Sequence, residues 1–142
     1  EAYAGLGYAA FALTMTAGRL TGDAIVRRLG PTRVIVMGGT LACAGLLLAT
    51  LLPAWETALL GYALVGAGCS NIVPVLYTAV GKQTVMPEHI AVPAITTLGY
   101  AGILAGPAVI GFIAHGSSLS TAFILIAVLL AAVAISGKVL KV

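Results

Sequence analysis

The side chains able to do chemistry in this chain are few, and their positions narrow what that chemistry can be. Apart from the terminal Glu1, the carboxylates and imidazoles are Asp23, Glu56, Glu88, His89 and His115, and all five stand at the ends of long apolar segments. No Ser/His/Asp set falls on one face, no phosphate-cradling glycine loop is present, and no His, Cys, Asp or Glu spacing suits a metal ion. Nothing here supports catalysis, so the chain is not expected to be an enzyme or to carry a cofactor. What remains is hydrogen bonding from within apolar surroundings.

The run Gly61-Tyr-Ala-Leu-Val-Gly-Ala-Gly-Cys-Ser-Asn71-Ile-Val-Pro74-Val-Leu-Tyr-Thr78 concentrates it. Asn71 sits a little past the middle of its segment. A carboxamide has two donors and an acceptor, and leaving them unpaired in hydrocarbon costs roughly 2–7 kcal/mol. Pro74 has no N–H, which frees the carbonyl of Ser70 one residue from Asn71. At helical spacing Asn71, Pro74 and Thr78 share a face. Two readings stand side by side. A kinked helix with exposed backbone polarity suits a ligand path, with Ser70, Asn71 and Thr78 along it; an interhelical hydrogen bond would merely hold helices together. Thr96 and Tyr100, one turn apart, pose the same choice, since Thr can bond its own i−4 carbonyl and Tyr can lie at an interface. Gly106-Pro107 predicts a bend, and Gly102 with Gly106 a tight packing face.

The elements that must position these groups are membrane helices. Hydrophobic residues make up 61% of the 142, and charged residues 8%, against roughly 45–50% and about 25% in soluble domains. So few charges cannot cover a soluble surface. Measured against the ~20 residues that cross a ~30 Å hydrocarbon core, five spans are expected, at about 3–20, 34–52, 57–80, 90–114 and 119–135. Cys43 and Cys69 fall inside apolar segments and read as packing residues. Gly38/Ala42 and Gly66/Ser70 are further small-residue pairs.

All seven Lys and Arg fall on one side of such a bundle. Loop 19–33 holds Arg19, Arg27, Arg28 and Arg33, the next loop on that side Lys82, and the tail Lys138 and Lys141; the opposite side, with Pro53–Glu56 and His115–Ser120, has none. The net charge of +3 is therefore topological and does not point to nucleic acid. Loop 19–33 and the C-terminus are expected in the cytoplasm and the first residue outside. An odd number of spans beginning outside, with no initiating Met or signal-peptide pattern, suggests a piece of something longer.

The same loop carries a resemblance. In the major facilitator superfamily, the loops after the second and eighth helices hold Gly-x-Leu-x-Asp-Arg-x-Gly-Arg-Arg or a relaxed version. Gly18, Leu20, Asp23, Arg28, Gly30 and Arg33 match. Gly22 is an extra residue before the acid, Ala24 to Arg27 lengthen the run before Gly30, and Pro31-Thr32 stands where a further base is usual. The run Gly66–Pro74 resembles helix ten and Gly99–Gly111 helix eleven, particularly of the fucose-permease-like and uncharacterised sugar-permease-like bacterial branch.

The resemblance implies most of one six-helix half of a twelve-helix carrier working by alternating access in a bacterial inner membrane. Helix seven and the whole N-terminal half would lie upstream, and a small-molecule solute and the lipid bilayer would be its partners. The first, third and fourth spans would line the central cavity and the second and fifth would face lipid. Loop 19–33 (Gly18, Asp23, Arg27, Arg28, Gly30, Arg33) would control conformation. Protons stay open as a coupling ion, since no intramembrane carboxylate is present to carry them. A membrane-embedded scaffold or assembly subunit complete in five helices is the alternative. The orientation predicts that, with Cys43 and Cys69 replaced, Ser117→Cys is labelled by an impermeant maleimide added from outside and Ala24→Cys is not; the opposite pattern reverses the map.

Overall fold

A computed structural model describes residues 4–139. The expected first-span start at Tyr3 and the tail base Lys141 lie outside the described residues. All of the regular structure described is helical: α1 (Ala4–Leu20), α2 (Gly22–Leu29), α3 (Pro31–Leu51), α4 (Trp55–Cys69), α5 (Ile72–Lys82), α6 (Glu88–Gly116) and α7 (Leu119–Val139). The α4 and α5 segments form one rod interrupted at Ser70 and Asn71, so the described residues make six rods. Four are long and apolar enough to cross a membrane: Pro31–Leu51, Trp55–Lys82, Glu88–Gly116 and Leu119–Val139. The described part of α1 has 17 residues.

Three features differ from expectation. The segment 19–33 is mostly helix rather than loop: only Thr21 separates α1 from α2, and only Gly30 separates α2 from α3. The reason is amphipathicity, since Ile25, Val26 and Leu29 pack onto a core of Val34, Ile35 and Val75 while Asp23, Arg27 and Arg28 stay exposed. Gly30 has φ 81° and ψ 154°, a region closed to residues with a Cβ, and Pro31 then opens α3 at its first turn. Second, the third span breaks at Ser70–Asn71, not at Pro74. That places Pro74 in the first turn of α5, where a missing N–H costs little because those donors lack helical partners anyway. The α6 helix, by contrast, is unbroken through Pro93 and Pro107.

Third, α3 is a hub rather than a mainly lipid-facing helix, packed between α4 and α7. Its contacts are glycine seams. A Cβ placed on Gly45 would stand 2.6 Å from the carbonyl oxygen of Gly61, and one on Gly61 would stand 2.5 Å from that of Gly45. Gly38 and Gly68 face each other in the same reciprocal way two turns along. In each case a Cα hydrogen points at the partner's carbonyl, a weak hydrogen bond on top of dispersion contact. Toward α7, Gly39 meets Ala134 and Gly137 meets Ile35 and Val36. Only the strip of α3 with Met37 and Leu41 remains open.

Charge follows helix polarity. The acids Asp23, Glu56 and Glu88 each lie in the first turn of a helix, and Arg19, Arg27, Arg28, Lys82 and Lys138 each lie in a last turn. Both placements complement the helix dipole. Arg19, Arg27 and Lys82 border one cavity, and Gly137 beside Ile35 brings Lys138 to the same end of the bundle.

Overpacking a seam is expected to cost about 1–3 kcal/mol. Gly45→Val should therefore lower the melting temperature in detergent clearly, whereas Gly116→Ala, at the end of α6 with nothing within 4 Å, should leave it within error; equal effects would show that the seam is not what holds α3 to α4.

Candidate functional site

The break between α4 and α5 is built around two buried polar side chains, Ser70 and Asn71. The Asn71 Nδ2 donates to the carbonyl of Gly18 at 3.0 Å and to the Ser70 hydroxyl at 3.0 Å, and that hydroxyl donates to the carbonyl of Ala67 at 2.7 Å. Both amide hydrogens of Asn71 are thus committed to the end of α1 and to its own neighbour. The fit needs glycine opposite: a Cβ on Gly18 would run into the Ser70 hydroxyl, and one on Gly22 into Oδ1 of Asn71. Gly22, the residue in excess of the family pattern, is the platform on which the carboxamide rests. Since Gly18 lies in the last turn of α1, this polar knot sits level with the start of α2.

One turn deeper, the Thr14 hydroxyl of α1 donates to the carbonyl of Ala63 on α4 at 2.8 Å, beside Gly66. Its role was hidden in the sequence, because a Thr in an apolar helix usually bonds its own preceding turn, as Thr14 also does to Ala10 at 3.0 Å.

The remaining sequence-predicted positions divide. Thr78 is exposed and donates to the carbonyl of Pro74 at 3.0 Å. Thr96, half-buried, donates to the carbonyl of Val92 at 2.8 Å and pairs with the Tyr77 hydroxyl at 2.9 Å, which links α6 to α5. Nothing in the local sequence marks Tyr77; only the approach of α6 to α5 gives its hydroxyl this partner. Tyr100 is 63% exposed. Gly102 and Gly106 have nothing within 4 Å: among the described residues α6 packs chiefly against α5 and α7, and the tight face expected at these two glycines meets no neighbour. Gln83 closes the α5–α6 turn, accepting from the backbone of Val85 and Met86 and donating to the carbonyl of Met86.

Asn71, Pro74 and Thr78 share the wall of a cavity of about 750 Å³ between α2 and α5, whose rim carries Arg19, Asp23, Arg27, Lys82 and Gln83. A second cavity, of about 550 Å³, lies toward the other end among Tyr8, Phe11, Trp55 and Tyr62. Neither holds a nucleophile–base pair, and no group of three or more His, Cys, Asp or Glu that could hold a metal is found among the described residues.

A glycine-seamed bundle of long apolar helices, with polar groups paired inside it and charges at its ends, defines a multi-pass membrane protein. The chain belongs to the Major Facilitator Superfamily, whose family model matches residues 1–141. It is 54% identical over 135 residues to an uncharacterized MFS-type transporter of Yersinia pestis, covering 95% of this chain and 35% of that protein. It is 36% identical over 121 residues to the membrane protein MosC of Rhizobium meliloti, covering 85% of this chain and 30% of that protein. To an uncharacterized transporter of Sinorhizobium fredii it is 29% identical over 141 residues, covering 99% and 37%. The chain thus spans about a third of the length of these curated relatives. No solved structure matches it. The family is one of transporters, not enzymes.

The hydrogen bonds of Asn71 make it a tie between α1 and the α4–α5 break. Asn71→Ala removes the shorter of the two side-chain bonds to the Gly18 carbonyl, leaving the Thr21 hydroxyl at 3.4 Å, and should cost about 1–3 kcal/mol of stability, while Thr78→Ala, which removes a bond within one helix, should be near neutral. Paired thermal melts in detergent check this, and an unchanged Asn71→Ala melt would remove the tie.

Proposed function

We propose that this chain forms most of the C-terminal half of a secondary transporter that moves a small polar solute across a bacterial inner membrane by alternating access. The observation that carries the reading is the family match along nearly the whole chain. In this reading α1 is a fifth span, α2 lies on the cytoplasmic side, and helix seven together with the six-helix N-terminal half supplies the remaining helices. The bare face of α6, with Gly99, Gly102 and Gly106 open and Leu98, Ile103 and Leu104 exposed, is where those helices would pack.

The solute path then runs along the polar surface that α5 and α6 share. Thr78, Thr96 and Tyr100 offer it hydroxyls, and Ser70 and Asn71 hold the wall behind them. Hydroxyl donors and acceptors without charge suit a hydroxyl-rich solute, in keeping with the resemblance to fucose-permease-like and sugar-permease-like carriers. Asp23, on the first turn of α2, serves the conformational cycle together with Arg27 and Arg28.

The test is uptake of a panel of labelled monosaccharides by cells producing the full reading frame. At least one sugar should accumulate. Tyr100→Phe should raise its KM, and Asp23→Asn should lower the maximal rate by roughly fivefold or more with KM little changed. No accumulation of any sugar would remove the solute class, and wild-type kinetics in Asp23→Asn would leave that acid a solvated charge.

A further inference from the structure

The cavity between α2 and α5 has a composition that a neutral-solute path does not explain. Three cations from three different helices border it, Arg19 at the end of α1, Arg27 at the end of α2 and Lys82 at the end of α5, against the single acid Asp23. Apart from Asn71 and Thr78, the rest of the wall is largely apolar, with Val26, Pro31, Val75, Leu76, Ala79 and Val80. At about 750 Å³ the space is within the range of small-molecule sites, about 300–1,000 Å³. It also lies at the level of a membrane surface: α1 ends there, its last turn holding Arg19, while α5 runs on to Lys82.

We infer that this cavity binds the headgroup of an acidic phospholipid, with the phosphodiester among Arg19, Arg27 and Lys82 and the upper part of an acyl chain along Val26, Leu76 and Val80. Bringing three like charges to one rim is unfavourable without an anion between them, and guanidinium groups suit phosphate oxygens by their paired N–H donors. A soluble anion would satisfy the charges but leave the apolar wall facing water. A lipid satisfies both, and cationic pockets between spans are where acidic headgroups settle. The two other bases of the same segment supply a built-in control, because Arg28 and Arg33 do not border the cavity.

The inference holds whichever solute is carried. Its test uses the full-length protein purified in detergent and titrated with phosphatidylglycerol or phosphatidylcholine, with bound lipid counted by native mass spectrometry. Phosphatidylglycerol should be retained in preference to phosphatidylcholine. Arg27→Gln and Lys82→Gln should each weaken retention about fivefold and the double variant roughly 25-fold, while Arg28→Gln and Arg33→Gln should leave it unchanged. All four side chains end at exposed positions, and melting temperatures of the variants verify that the fold is kept. Equal losses from all four substitutions would reduce the effect to general surface charge and overturn the site. So would equal retention of phosphatidylcholine, or displacement of the lipid by millimolar inorganic phosphate.

Discussion

In hydrocarbon, burying an apolar side chain gains nothing over leaving it in lipid, so helices must be held by how closely their backbones approach. This chain meets that constraint through α4. One side of α4 presents Gly61 and Gly68 to Gly45 and Gly38 of α3, and another presents Gly66 and Ser70 to Thr14 and Gly18 of α1. Small residues are correspondingly among the most deeply buried: Ala42, Ala122 and Ala127 are at most 1% exposed, beside a larger cluster of Val34, Ile35 and Val75. Weak Cα–H contacts and dispersion add up along such seams because many of them act at once. The rest of the fold hangs on this three-helix contact, with α7 added through α3 and α6 through α5 and α7.

Two electrostatic rules act together on the same residues. Membrane topology draws Lys and Arg to one side, and helix polarity draws them to C-terminal turns. For α1, α5 and α7 these demands coincide, since each ends at the cationic end of the bundle. For α2 the helix dipole alone explains why Asp23 precedes Arg27 and Arg28 rather than following them. Arg33, in the first turn of α3, satisfies the first rule and not the second.

The long apolar helices were legible in the sequence because length and uniform apolarity need no partner to be read. The small-residue pair Gly38/Ala42 was legible for a related reason: its spacing is local, and α4 lies against it. What was not legible depended on contacts distant in the chain. Gly22 looked like an interruption of a motif until Asn71 was found resting on it, 49 positions further along. Loop 19–33 looked irregular because its eight-residue helix is too short for periodicity to declare itself. Pro74 drew the break toward itself, although a proline in a first turn disturbs nothing and the actual interruption belongs to Ser70 and Asn71. Gly102 and Gly106 carry the spacing of a seam, yet spacing says nothing of which helix is opposite.

The four rods long enough to cross a membrane come in two lengths. The α3 and α7 helices have 21 residues each, or about 31 Å at about 1.5 Å per residue, close to the thickness of a hydrocarbon core. The rod Trp55–Lys82 has 28 residues and α6 has 29, or about 42–44 Å. The shorter pair fixes how the bundle sits in the bilayer, and the longer pair must lean or overhang. Leaning is easiest at the Ser70–Asn71 break, where no continuous helix resists it. A thinner bilayer therefore tilts the α5–α6 hairpin before it disturbs the α3–α4 seam, which makes membrane thickness a mechanical input to the half of the bundle that is packed most loosely.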